Sequence, residues 1–398
     1  MQITSPILFL EINNSDLKFI IGENDENNVF KLKHLKKIST KDIEGFKRLD
    51  FDLIYEQVRK NIYSIEKEFN IILKEVIVII NNFDCSLINC TGFKKLNGSQ
   101  LEKENISYIL NSLKTNIDKN EKTKTILHIF NSKYFLDKKN IENLPIGLFG
   151  NFYSHELSFF LINENDYKNL RNIINKCNLK ISKVISKSFV EGIYLISQNN
   201  GIETFFKIEI NDYDSQIMYF DQSALKFFQN FNFGADLIIK DISKVIALNK
   251  ETIKDILINS SISTNNSEDE FIEKKFFKDQ NYRKIKKKLI LDIASARIEE
   301  LSEIILFKNT NVQSFLNDKI PIFLMINDNL KKNYLNDVYK SHFTNKNELD
   351  MKFIENFDKD EFYKEVNKLV QFGWKKEAVP IVHEKKSIIA RIFNLFFN

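Results

Sequence analysis

Two acidic stretches, Glu11-Ile12-Asn13 and Glu209-Ile210-Asn211, each close a short apolar run. Each then leads through polar turn residues into a second strand-like run, at 17–21 and 216–220. An acidic residue at the head of a turn can hold a metal ion or a water molecule. Successive backbone amides in such a turn can approach phosphate oxygens, most closely where glycine leaves room. The chain therefore carries one candidate phosphate-and-metal hairpin twice.

The elements that position these turns are readable from periodicity. Residues 7–21 predict a first hairpin, and VFKLKHLKKI after the turn at 24–28 predicts a further strand. Apolar residues at helical spacing predict a helix over 52–69 that leads into VIVII at 76–80, a buried strand. Residues 83–156 change character, with short strands near 87–90 and 125–130, a helix near 106–113 and a Pro-Gly turn in LPIGLFG. They predict a small inserted α+β module. LSFFLI at 157–162 and a helix over 167–177 resume the first pattern, and a polar turn at 199–201 marks the main boundary. After the second hairpin come an amphipathic helix over 241–257, a Ser/Asn-rich acidic loop at 260–270 and a long helix over 284–307, with Leu289, Ile293, Ala296, Leu301 and Ile304 on one face. A buried strand at 320–326, a helix over 361–372 and a linker at 375–384 follow. The repeated unit is one half of a two-lobed α/β protein.

Composition narrows the function classes. The 398 residues hold 58 Lys+Arg against 54 Asp+Glu, a net charge of +4, which gives no ground for a nucleic-acid partner. Three cysteines, Cys85, Cys90 and Cys177, form no CxxC pair and suit a reducing compartment. The five histidines stand at no metal-ligand spacing. The amino terminus lacks a basic region ahead of its apolar run, so it reads as a strand and not a signal peptide. No apolar segment has membrane-spanning length, which leaves peripheral contact as the expected mode.

The last residues, KKSIIARIFNLFFN, offer such a contact. Wound as a helix, 385–398 gathers Ile388, Ile389, Ile392, Phe393, Leu395, Phe396 and Phe397 on one face, with Lys385, Lys386 and Arg391 beside it. Such a face packs back on its own domain or lies in a membrane interface, and the flanking cations and the run of phenylalanines favour the membrane. Seven half-buried side chains at roughly 1 kcal/mol each give about 7 kcal/mol, or a dissociation constant near about 10 μM. One such tail is a marginal anchor, so firm attachment needs many tails in one assembly.

Four stretches in one order resemble the FtsA family of bacterial cell-division proteins, which are actin homologues. ILHIFNSKYFLD (126–137), with LPIGLFG (144–150) and NKCNLKISKVISKSFVEGIYLIS (175–197), resembles the segment around that family's subdomain 1C, an SHS2-like insertion. FNFGADLIIKDISKVIAL (231–248) resembles the stretch after its second phosphate hairpin. LILDIASARIEELSEII (289–305) resembles a helix of its subdomain 2B, and the tail resembles its membrane-targeting helix.

The resemblance implies an α/β, actin-like, two-lobed fold, a duplicated ribonuclease H-like core with a small α+β insertion. It divides the chain into subdomain 1A (1–82 and 157–200), subdomain 1C (83–156), subdomain 2A (201–257 and 320–374 with the closing helix), subdomain 2B (258–319), a linker (375–384) and the membrane helix (385–398). It implies an adaptor that polymerises as an actin-like filament and ties FtsZ filaments, the Z ring, to the cytoplasmic face of the cell membrane at the division site. Implied partners are the carboxy-terminal peptide of FtsZ, further copies of the chain, later division proteins and membrane lipids. For the FtsZ peptide the matching residues are Lys287, Lys288 and Arg297. The bland alternatives are a solvated helix end for the lysines and an internal ion pair with Glu300 for Arg297.

In that family the nucleotide turns are glycine-rich, reading Asp-hydrophobic-Gly at the first. Here the first continues Glu11-Ile12-Asn13-Asn14 and the second Glu209-Ile210-Asn211-Asp212. The adenosine motif after the strand at 320–326 reads Asn327-Asp328-Asn329. All three have lost glycine, and Asp212 and Asp328 place negative charge beside an anion, so the resemblance implies a degenerate ATPase and not an enzyme. ATP and Mg, where bound, would meet Glu11, Asn13, Glu209, Asn211, Gly234, Glu251, Lys254 and Asn327. Glu11 and Glu209 would face metal or water, and Glu251 and Lys254 the adenosine. A helical Glu and Lys three apart also form an ordinary solvated pair. The alternatives are an active actin-fold ATPase or kinase, and a pilus-assembly adaptor like PilM, which is also actin-like.

Overall fold

The run ILFLEI offers no polar face to solvent, so a strand built from it needs cover on both sides. In the computed structural model it becomes β1 (Ile7–Ile12), buried from Leu8 onward. The structure describes residues 6–13, 16–26, 29–39, 50–81, 83–260, 262, 270–277, 281–316, 320–327, 333–344 and 350–380. They fall into two units, 1–203 with 221–226 and 357–398, and 204–220 with 227–356.

In the first unit β1 pairs antiparallel with β2 (Asp16–Asn24), which pairs with β3 (Phe30–Ser39). β3 is an edge strand, and its lysines, among them Lys31, Lys33 and Lys37, are the charges that keep an open edge from pairing with another chain. Helix α1 (Phe51–Phe69) starts where the Asp50 carboxylate accepts from Leu53 N–H at 3.1 Å and ends at Asn70, left-handed at φ 50°. It turns Ile54, Val58, Ile62 and Ile65 inward. β4 (Glu75–Ile80) then joins β1 in parallel.

The module follows as β5 (Cys85–Lys95), α2 (Lys103–Asn120), β6 (Lys124–Leu136), β7 (Lys139–Ile141) and β8 (Phe152–Asn163). β5 and β6 flank β8, both antiparallel to it. α2 covers one face, with Leu110 and Ile117 against Leu157, Phe159 and Leu161. The chain returns through α3 (Glu164–Lys176), β9 (Lys180–Ser186) and α4 (Lys187–Gln198), and β9 lies parallel to β4.

The second unit repeats this sheet. β10 (Phe205–Asn211), β11 (Ser215–Asp221) and β12 (Ala224–Phe231) lead to α5 (Asp236–Ile246), α6 (Lys250–Asn259), α7 (Lys287–Ser302) with a π-helical turn at Glu303–Phe307, and α8 (Thr310–Gln313). β13 (Ile322–Asn327), α9 (Asn333–Thr344) and β14 (Met351–Ile354) follow. The orders β3-β2-β1-β4-β9 and β12-β11-β10-β13-β14 are equivalent. β10 pairs antiparallel with β11 and parallel with β13, as β1 does with β2 and β4. The repeated hairpin is thus one hairpin of a duplicated α/β sheet. Helix α10 (Lys359–Phe372) and strand β15 (Glu377–Pro380) close the described chain and belong to the first unit.

Several expectations are corrected. Residues 157–162 do not resume the first sheet: they are the second half of β8, paired with β5 and β6. The helix expected over 241–257 is two helices, because Ala247 is left-handed at φ 49° and Asn249 caps a new start on Thr252 N–H at 2.7 Å. The inward face of α7 is Ile290, Ala294, Ile298 and Leu301, continued by Ile305, whereas Leu289 and Ile304 are exposed.

The expected linker at 375–384 is in part β15, antiparallel to β6, while 381–384 lie outside the described residues. Its Glu377 is buried and explains the strand. Ser186 N–H donates to His128 Nε2 at 3.2 Å, so His128 Nδ1 carries the proton and donates to Glu377 Oε1 at 2.7 Å. Lys183 Nζ lies 3.7 Å from Glu377 Oε2. Burial raises the Glu377 carboxyl, and Lys183 and His128 more than reverse this, leaving it below its ordinary value. Module, first sheet and last strand thus meet on one carboxylate. Glu377→Ala leaves Lys183 buried without its anion and costs about 3 to 5 kcal/mol in urea unfolding, with faster hydrogen exchange at the amides of β6. Unchanged stability and exchange would show that β15 holds by its backbone alone.

Candidate functional site: two turns closed by their own side chains

Glu11 sits on β1 directly opposite Lys18 of β2, a pairing of opposite charges across antiparallel strands. Its carboxylate is 1% exposed and needs a donor for each lone pair. Oε1 accepts from Lys18 Nζ at 2.9 Å and Asn13 Nδ2 at 2.9 Å, with Lys187 Nζ of α4 at 3.2 Å. Oε2 accepts from the Tyr363 hydroxyl of α10 at 2.7 Å. Burial raises the Glu11 carboxyl, but Lys187 and Lys18, with the bonds from Lys18 and Tyr363, hold it far below the carboxylate range. Burial and the Glu11 anion push the Tyr363 phenol well up.

Asn13 closes the turn. Its N–H donates to Asp16 O at 3.0 Å and its Nδ2 to Asp16 Oδ1 at 2.7 Å. Asn211 does the same in the second unit, with N–H to Asp214 O at 2.9 Å and Nδ2 to Asp214 Oδ1 at 2.8 Å. Glu209 again has a lysine, the fully buried Lys207, at 2.8 Å. The repeated unit is therefore Glu-Ile-Asn-x-x-Asp. Asp16 and Asp214 were missed in the sequence, where their equal offset from Asn13 and Asn211 was the available signal. Lys187 and Tyr363 carried no local signal, being remote in the chain.

Gly234 permits a close approach. A Cβ there would lie 2.1 Å from Asn211 O, and the following amides are spent on the same turn. Ala235 N–H donates to Asn211 O at 2.9 Å and Asp236 N–H to Asp212 O at 2.8 Å. The start of α5, where free amides would attract an anion, is thus occupied by carbonyls. Glu11 thus has four donors on its oxygens, and the second turn's carbonyls take the first amides beside its helix.

The structure brings Glu209, Asn211 and Gly234 together and sets Asn211 beside Asn327, its register partner on β13. The Asn327 side chain lies outside the described residues, as do 328–332. Glu251 and Lys254 form an i,i+3 pair at 3.7 Å with Glu251 86% exposed, the solvated-pair geometry. Arg297 is held by Asp241 and by Glu300, the latter at 2.6 Å. Lys287 is buried against Glu270 at 3.1 Å, Lys288 is exposed, and Arg283 donates to Ile246 O and Ala247 O, both at 2.8 Å, capping α5. Ile388, Ile389, Arg391, Ile392, Phe393, Leu395, Phe396 and Phe397 lie outside the described residues. A cavity of about 590 Å³ beside α1 and the end of α3, lined by Tyr55, Arg59, Tyr63 and Lys176 among others, includes none of the expected site residues.

No protein-family model matches the chain. Among curated proteins it is 20% identical over 237 residues to the cell division protein FtsA of Buchnera aphidicola subsp. Schizaphis graminum, covering 60% of this chain and 56% of that protein. It is 20% identical over 303 residues to FtsA of Neisseria meningitidis serogroup B, covering 75% and 72%. The chain is a divergent FtsA-like protein with the actin fold. A chain of the PilM-PilN type IV pilus biogenesis complex superposes with TM-score 0.54 at 9% identity, over 93% of this chain and 96% of that one, a likeness of fold. The match to the Buchnera FtsA spans little more than half of that protein's length. Within this FtsA-like chain the two turns stand at the places the duplicated sheet assigns them, at the ends of β1 and β10.

The depressed Glu11 carboxyl sets a pH dependence. Its stabilisation is complete above the ordinary carboxylate range and is lost as pH falls below it toward the folded-state value. Glu11→Gln should cost about 3 to 5 kcal/mol near neutrality and flatten the acid limb of urea stability against pH. Tyr363→Phe should cost about 1.5 to 3 kcal/mol and leave that limb in place. An acid limb identical in Glu11→Gln and the parent would remove Glu11 as its source.

Proposed function

We propose that the chain is a cell-division adaptor. It lies on the cytoplasmic face of the membrane at the division site, assembles through its actin-like fold, ties FtsZ filaments there and helps to gather later division proteins. What supports this reading is the similarity to two FtsA proteins over as much as 75% of the chain. Among the described residues no helix is long and apolar enough to cross a membrane. The contact would come from 385–398, through Ile388, Ile389, Ile392, Phe393, Leu395, Phe396 and Phe397 with Arg391. Lys288 on the exposed start of α7 would meet the acidic FtsZ peptide, and Lys287 and Arg297 would help to shape that surface. In this reading 83–163 correspond to subdomain 1C.

The observation that carries the rest of the reading is the pair of self-closed turns. An adaptor needs a rigid scaffold and not a turnover cycle, and here side chains brace the turns that nucleotide would otherwise order. In this reading the chain does not hydrolyse ATP, the reverse of an active ATPase or kinase. The likeness of fold to PilM supports a second adaptor reading, in pilus assembly; the amphipathic tail sequence favours the division protein.

Purified full-length chain, mixed with anionic vesicles, should float and carry FtsZ with it, and Phe393→Asp/Phe396→Asp should release both. The midpoint of thermal unfolding should not move with MgATP, and phosphate release should match a protein-free control. Saturable hydrolysis would sink the scaffold reading, and flotation without FtsZ would sink the adaptor.

A further inference from the structure

The free end of the module carries a bare aromatic surface. Phe93 of β5 and Phe152 of β8 stack with ring centroids 5.7 Å apart, and Phe149 bridges to Gln100 just beyond them. Phe149 is 72% exposed, Phe93 62%, Leu148 49% and Phe152 37%. Scattered single apolar residues on a surface are ordinary, whereas a contiguous cluster marks an interaction site.

The pleat explains why this end is bare. Gly92 faces α2, where an added Cβ would meet Ile109 at 2.3 Å, so its neighbour Phe93 points to the opposite face. Farther along β8 the same outer face is covered: Phe160 lies near the His128 ring, and His128 near Phe189 of α4. The cover ends before Phe152.

The surroundings are cationic. Lys95 lies directly across from Phe152, and the hairpin turn between β6 and β7 adds exposed Lys138 and Lys139. That turn abuts the aromatic loop, since Asp137 Oδ1 accepts from Asn151 N–H and Phe152 N–H, both at 2.8 Å. Oδ1 of Asp137 is therefore held by backbone, and its charge stands beside those of the three lysines. Protruding phenylalanines with flanking lysines match an anionic bilayer, into which the rings dip while the lysines meet headgroups.

We propose that this module tip is a second lipid-binding surface, which places Phe93, Leu148, Phe149 and Phe152 in the interface of an anionic membrane. It goes beyond the tail anchor and stands on described residues alone. A chain held at tip and tail would be oriented on the membrane, where a tail by itself leaves it free to swivel.

The test uses the full chain and vesicles of phosphatidylcholine with about one third phosphatidylglycerol, some with brominated acyl chains. In Phe149→Trp the introduced indole should shift to the blue and be quenched by the brominated lipid, over the constant signal of Trp374. Lys95→Glu/Lys138→Glu/Lys139→Glu, with an unchanged melting profile, should weaken vesicle binding at least about tenfold. A chain that floats with the indole unquenched overturns the tip and leaves the tail reading intact. A Phe393→Asp/Phe396→Asp chain that still floats with the indole quenched supports the tip and removes the tail. Charge reversal that abolishes self-association in sedimentation while flotation is unaltered would make the surface a contact between copies and overturn the lipid assignment.

Discussion

A carboxylate inside a sheet has to have its oxygens met by donors, and among the described residues the glutamates buried on strands impose that demand. Glu11, Glu209 and Glu377 are each at most 2% exposed, and each has a lysine within 3.7 Å. Removing an ion from water costs several kcal/mol, which only close pairing offsets. The lysines thus restrict which strands and helices can stand beside these positions. Lys187 must bring the start of α4 to β1, and Tyr363 must bring α10 to the same point.

The same pairing governs what the turns can bind. A magnesium ion needs carboxylate oxygens that are free or shared with water, and at Glu11 a cation would have to displace Lys18 or Lys187. A phosphate needs amides that are not already donating, and those at the start of α5 donate to Asn211 O and Asp212 O. The asparagine after each Glu-Ile supplies a donor that holds its turn shut.

Much of this frame was legible from periodicity. The helix over 52–69, the buried runs at 7–12 and 76–80 and the repeated hairpin follow from spacing and from apolar faces that must be covered. What misled has physical causes. β8 is half-exposed over Phe152–Glu156 and buried on both faces from Leu157 to Ile162, so one strand reads as a boundary followed by a new element. Near the start of α7 three apolar residues in a row, Leu289 to Leu291, leave its phase undetermined, and the π-helical turn at Glu303–Phe307 shifts the phase again. β15 has too few apolar residues to announce a strand, because its burial rests on Glu377 and on partners more than 190 positions away.

The two copies of the hairpin solve one electrostatic problem in two ways. In the second unit Glu209 meets Lys207, two residues earlier on the same strand and on the same face, a partner within β10 itself. In the first unit Glu11 has a nearby partner in Lys18, but its remaining donors arrive from α4 and α10, and Tyr363 stands 352 positions along the chain. The first copy of the motif thus ties its buried carboxylate to the end of the chain: without α10, Glu11 Oε2 loses the Tyr363 donor, and a buried charge with fewer partners costs more to keep.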